Sequence, residues 1–73
     1  MKMRRVETYN VKMWSEDIET KHLELYEDGG IGVDENLEEI AQNFYEFCEK
    51  HCPREKFISI EFYKVISYVA DED

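Results

Sequence analysis

Between Asp34 and Cys52 the apolar positions Leu37, Ile40, Ala41, Phe44, Phe47, Cys48 and His51 recur every three or four residues, which predicts one amphipathic helix. Its opposite side carries Glu35, Glu38, Glu39, Gln42, Glu46 and Glu49. Asp34 is placed to accept from the free amides of the first turn; Lys50 and His51 suit the last turn, and Pro53 stops the run. Elsewhere the period is two. Arg4 to Trp14 reads as a strand, with Tyr9, Val11 and Met13 alternating with Thr8, Asn10 and Lys12. Ser15 to Thr20 is a polar hairpin loop without the Asn-Gly or Asp-Gly of a tight turn. His22 to Tyr26 returns as a strand, with Leu23 and Leu25 inward and Glu24 outward. Asp28-Gly29-Gly30-Ile31-Gly32 reads as a flexible corner leading to the helix.

From Lys56 to Ala70 the chain is most apolar. Ile58, Ile60 and Phe62 alternate with Ser59 and Glu61, then Lys64 breaks the phase, which places a bulge near Tyr63. Phe62, Val65, Ile66 and Val69 also fit a helical spacing; the β-branched and aromatic content and the lack of a cap favour a strand. Asp71-Glu72-Asp73 is an acidic tail expected to fray. The expected fold is α+β: strand, strand, helix, strand, as a three-stranded antiparallel sheet of order 2-1-3 with the helix on one face. Trp14, Tyr26 and either Tyr63 or Tyr68 are expected on the other face, as an interface for a symmetric homodimer.

Composition narrows the function more than the fold. The 73 residues make a single domain over 1–73, and 42% hydrophobic with 14% aromatic content marks a folded chain. A net charge of −9 repels phosphates and anionic headgroups and attracts basic surfaces, so direct nucleic-acid and membrane binding are disfavoured. Met1 to Arg5 carries the charge of a signal peptide with no apolar segment after it, and no stretch approaches a membrane span. Cys48 and Cys52, four apart on the helix, are poorly placed for a disulfide; two reduced thiols fit a cytoplasmic chain.

Candidate chemistry is sparse. Cys48, His51 and Cys52, with His22 as the other histidine, lack the paired spacing of a structural metal site, and the thiols read as packing groups. Gly29-Gly30-Ile31-Gly32 precedes a helix without the Lys-Ser or Lys-Thr of a phosphate loop, and Glu35, Glu38 and Glu39 would repel phosphate. Ser15, Ser59 and Ser67 have no base beside them in sequence. The expectation is therefore no enzyme, no catalytic residue, no metal and no cofactor. The helix carboxylates, with Glu16, Asp17, Glu19, Glu24, Glu27 and Asp28 of the hairpin, form a candidate negative surface that imitates a phosphate backbone; plain solvation is the competing reading. Phe44, Tyr45 and Phe47 crowd mid-helix, where aromatics either complete a small core or anchor a partner.

One stretch, Val6-Glu7-Thr8-Tyr9-Asn10-Val11-Lys12-Met13, resembles the small dimeric uracil-DNA glycosylase inhibitors of Bacillus phages, which carry Val-Asp-Ser-Tyr-Asp-Val, one residue, then Met. The likeness runs without a gap through an acidic loop at Asp17, then Lys21, Tyr26 and Gly29. It implies the same element order and a two-subunit, DNA-mimicking acidic surface with an apolar cavity between subunits for the glycosylase's protruding leucine. Phe44, Tyr45 and Glu46 look like counterparts of that family's helix aromatics and glutamate. The longer helix and final strand, and Cys48 and Cys52, depart from the pattern. The leading expectation is a phage-type inhibitor, in the host cytoplasm, that fills the basic DNA-binding groove of uracil-DNA glycosylase. Its partner-binding residues would be Glu24, Tyr26, Glu35, Glu38, Glu39, Phe44, Tyr45, Glu46 and Glu49. Alternatives are another nucleic-acid machine, such as a CRISPR effector or restriction enzyme, and a small acidic homodimeric structural protein.

Overall fold

β1 (Lys2–Asp17) is the strand on which the others assemble. It pairs antiparallel with β2 (Leu23–Gly32) on one edge and β3 (Glu55–Asp71) on the other, giving the order β2-β1-β3. α1 (Leu37–His51) lies between β2 and β3 in the chain and packs on one face, mainly against β3. This is the expected α+β architecture. The computed structural model describes residues 2–71, so Glu72 and Asp73 of the acidic tail lie outside the described residues. At about 3.3 Å per residue the 16 residues of β1 span about 53 Å, and the molecule's longest dimension is 54 Å.

The pleat sorts side chains by face. Val11, Met13 and Ser15 point toward the helix and are buried, joined by Cys48 from α1. Opposite them on β3 stand Phe62, Ile60 and Phe57; on β2 their partners are Asp28, Tyr26 and Glu24. This register reverses the expected phase of the return strand. Leu25 pairs with Trp14 and Leu23 with Glu16 on the helix-free face, where both leucines are exposed, while Glu24 and Tyr26 lie on the helix side. Because Trp14 holds Leu25 there and the Tyr26 hydroxyl finds a carboxylate on the helix side, side-chain chemistry overrides the simple apolar-in rule. Of the aromatics expected on the bare face, Trp14 and Tyr63 are there; Tyr68, opposite Arg5, is the alternative that falls on the helix side, and Tyr26 is the one that departs from the expectation.

Two bulges set these phases. Between Asp28 and Ile31 of β2 the register slips opposite Asn10, and Gly30 takes a positive φ of 73°. A Cβ on Gly29 would meet Asn10 Oδ1 at 2.7 Å, so the glycine-rich stretch is a bulged strand end held against β1, not a flexible corner. On β3 the extra residue is Ile58, between the pairs Trp14–Ser59 and Ser15–Phe57. It lies well before Tyr63, beyond which alternation continues unbroken; β3 is one strand throughout.

Local capping also differs from expectation. Asn36, not Asp34, caps α1: its Oδ1 accepts from the Glu39 amide at 3.2 Å. The hairpin turns without Asn-Gly because Asp17 Oδ1 accepts from the amides of Glu19 and Thr20, both at 2.9 Å, and Lys21 takes a positive φ of 64°. Those amide bonds, Thr20's foremost, hold the Asp17 carboxyl below its usual range.

β2 reaches β1 only as far as Thr8. Beyond it Lys2 to Glu7 pair with Ile66 to Asp71 alone, a two-stranded ribbon with Met3, Ile66, Tyr68 and Val69 exposed.

Candidate functional site

Charge is distributed unevenly along this frame. Between Glu16 and Glu55 the chain carries thirteen of its eighteen acids and three of its nine bases. The bases gather on the β1 side of the ribbon, where Lys2, Arg4 and Arg5 accompany the acid Glu7; on the β3 side Asp71 stands opposite Lys2, and Lys64 lies just before the ribbon, opposite Tyr9. Arg5 bonds Glu7 at 2.9 Å and Lys64 stands 3.4 Å away, which together lower the Glu7 carboxyl.

α1 presents Glu38, Glu39, Glu46 and Glu49 to solvent, with Glu35 just ahead of its cap. Among the described residues the ion pairs engage Glu7, Glu16 and Glu27, and none engages these five. Glu46 accepts a long hydrogen bond of 3.4 Å from Gln42, and Glu49 sits beside the Tyr45 hydroxyl, whose pKa that contact raises. With 100° between successive residues, Glu38, Tyr45 and Glu49 fall on one flank of the helix. There the Tyr45 ring stands edge-on to Phe57, centroids 5.3 Å apart, in a shallow cleft lined by Glu38, Ala41, Gln42 and Ile60.

The three helix aromatics divide. Phe44 is half-buried, whereas Phe47 is 54% exposed on the flank opposite Tyr45, its ring 4.7 Å from that of His51. Phe47 and His51 thus leave the apolar stripe, because β3 fills only part of the width it offers. Asn43, Phe44 and Phe47 line an apolar depression there. Phe44 and Tyr45 do not share a surface, so the nine candidate partner residues fall into separate groups. Glu38, Tyr45 and Glu49 share one flank; Glu35, Glu39 and Glu46 extend over the helix exterior. Phe44 opens on the other flank, and Glu24 and Tyr26 lie on β2.

Tyr26 belongs to a linkage that the sequence pattern did not reveal. Its hydroxyl lies 3.0 Å from both oxygens of Glu55, and the buried Ser15 hydroxyl donates to Glu55 Oε1 at 2.8 Å. The Ser15 bond first, then that of Tyr26, holds the Glu55 carboxyl below its usual range; the same carboxylate pushes Tyr26 up to about 12. Cys52 lies beside Glu55 as well, and burial before all else raises both the Cys48 and Cys52 thiols. Forty residues separate Ser15 from Glu55, so no local motif could signal the contact.

Among the described residues no group of three His, Cys, Asp or Glu side chains is arranged to hold a metal ion, and no helix is long and apolar enough to cross a membrane. Both cysteines are free thiols.

Comparison with protein-family models, curated proteins and solved structures finds no match. What the described residues of the helix present is a surface on which carboxylates outside the ion pairs stand beside the exposed Tyr45 and Phe47 rings.

Proposed function

We propose that this protein is a small acidic inhibitor that occupies the DNA-binding groove of a host enzyme, with uracil-DNA glycosylase as its first target, and that it acts as a pair of identical subunits. The observation carrying this reading is the set of five carboxylates, Glu35, Glu38, Glu39, Glu46 and Glu49, left without a cationic partner among the described residues. A groove that binds DNA presents lysines and arginines at phosphate spacing, and taking up such a surface releases counterions on both sides. Tyr45 beside Glu38 and Glu49 supplies the ring that anchors the contact, and the depression at Phe44 and Phe47 supplies apolar surface for a protruding side chain.

Adding the protein to uracil-DNA glycosylase and uracil-containing duplex tests the target. Excision should fall as the inhibitor reaches equimolar amounts and recover with rising salt; unchanged excision at large molar excess removes the glycosylase. A pull-down with restriction nucleases and CRISPR effectors then tests mimicry directed at other nucleic-acid enzymes.

The second reading, a structural homodimer whose acids only solvate it, is favoured by the spread of the candidate residues: Phe44 and Tyr45 open on opposite flanks of α1, while Glu24 and Tyr26 lie on β2. It predicts that changing Glu38, Glu39 and Glu46 together to Gln leaves every partner interaction unchanged.

A further inference from the structure

We propose that a second copy of this chain pairs with the outer edge of β3, antiparallel about Ser67, so that the two sheets become one of six strands. The pairing rests on the two-subunit reading above and names its interface.

The surface the monomer exposes calls for such a cover. A compact 8.8 kDa chain exposes about 4,800 Å², whereas this one exposes 5821 Å². Its radius of gyration is 15.9 Å, where about 11 Å is usual for its length. The excess, roughly 1,000 Å², is of the size each partner contributes to a stable interface.

The ribbon accounts for the extension, and charge selects which of its edges is used. β1 is bare from Lys2 to Glu7, but Lys2, Arg4 and Arg5 would meet their own copies there and repel. The outer edge of β2 carries Glu24, Glu27 and Asp28 and is broken by the bulge at Gly29 and Gly30. The first half of β3 carries Lys56, Glu61 and Lys64 and bulges at Ile58. Only Val65-Ile66-Ser67-Tyr68-Val69-Ala70 is free of charge, glycine and proline. Its residues pair on one side with Met3 to Thr8 of β1, and among the described residues nothing pairs with the other side. An uncharged, β-branched and aromatic segment with a bare edge recruits another strand.

A two-fold axis perpendicular to the sheet places residues of like parity opposite one another. Centred on Ser67, it sets Val65 against the partner's Val69 and Ile66 against the partner's Tyr68, so all four large apolar residues gain apolar partners. Centred on Tyr68 it would set Val65 against Asp71; centred on Ile66, Lys64 against Tyr68. Both helices then lie on one face of the joined sheet.

Light scattering behind size exclusion tests the pairing. The native chain should elute with twice the chain mass. S67K puts two cations face to face at the axis and should give a monomer with an unchanged far-ultraviolet circular dichroism spectrum. An equimolar mixture of S67K and S67E should restore the dimer, and an S67K chain that stays unfolded even with S67E overturns the proposal. L25K, on the helix-free face, should remain dimeric. A native monomer defeats both the pairing and the two-subunit reading. A dimer that survives S67K, or one that L25K abolishes without unfolding, defeats the β3 pairing and leaves the two-subunit reading intact.

Discussion

The Ser15 hydroxyl donates to Glu55 Oε1 at 2.8 Å, tying the end of β1 to the start of β3 beneath the last turn of the helix. Ser15 is fully buried, so its hydroxyl has no water to turn to. Ser15→Ala removes a donor from a half-buried carboxylate and should cost about 1–3 kcal/mol. In a domain of this size that lowers the melting temperature by about 4–8 °C per kcal/mol, measurable by circular dichroism. Tyr26→Phe removes the other donor, and because both act on one carboxylate the double variant should lose a different amount from the sum of the singles.

Acid stability should report on the same carboxylate. Hydrogen bonds from Ser15 and Tyr26 depress the Glu55 pKa in the folded state, so the folded state favours its ionised form. That contribution is fully present above the ordinary carboxylate range near 4.5 and is lost as pH falls through the lower folded value. Denaturant midpoints taken across this acid window should fall more steeply for the native chain than for Ser15→Ala. Tyr26 has the opposite sign. Its pKa is raised to about 12, so its contribution holds below the ordinary phenol value of 10.0 and disappears as pH climbs toward about 12, which an ultraviolet titration of Tyr26→Phe against the native chain would show.

Met13 is the largest side chain in the buried set, 2% exposed between Ile60 and Tyr26. Met13→Ala leaves a cavity and should cost about 2–5 kcal/mol. With so few other buried apolar residues to compensate, the variant should lose its cooperative thermal transition.

Cap identity separates two adjacent residues. Asn36→Ala should destabilise by about 1 kcal/mol, since the Glu39 amide loses its acceptor, while Asp34→Ala should leave the melting temperature nearly unchanged. Equal losses at both positions would place the helix start earlier than Asn36.

The element order and the sheet order were legible because they follow from periodicity, which survives in Tyr9-Val11-Met13 and in the helix stripe from Leu37 to Cys48. What the pattern hid were matters of phase. Leu23 and Leu25 look like core residues, and only the pairing of Leu25 with Trp14 shows that they cluster on the bare face. Ile58 looks like the first of an alternating trio, and only its position opposite Trp14 and Ser15 shows it to be the extra residue of a bulge. The carboxylate-rich helix face could be read directly, since it depends on one element; the Ser15–Glu55–Tyr26 linkage joins three strands and could not. Asn36 and Asp34 are both good caps, and their order was decided by where the backbone leaves the bulged end of β2.

The pairing of Lys2 with Asp71 bears on how the chain reaches its native state. β1 precedes β2 and α1 in the chain and receives its β3 partner only after both have been made, so the nascent hairpin of β1 and β2 must wait with Lys2 to Glu7 unpaired. Contacts this distant in sequence form slowly and late. Refolding should therefore proceed over milliseconds or longer, with the hairpin gaining amide-exchange protection ahead of the ribbon.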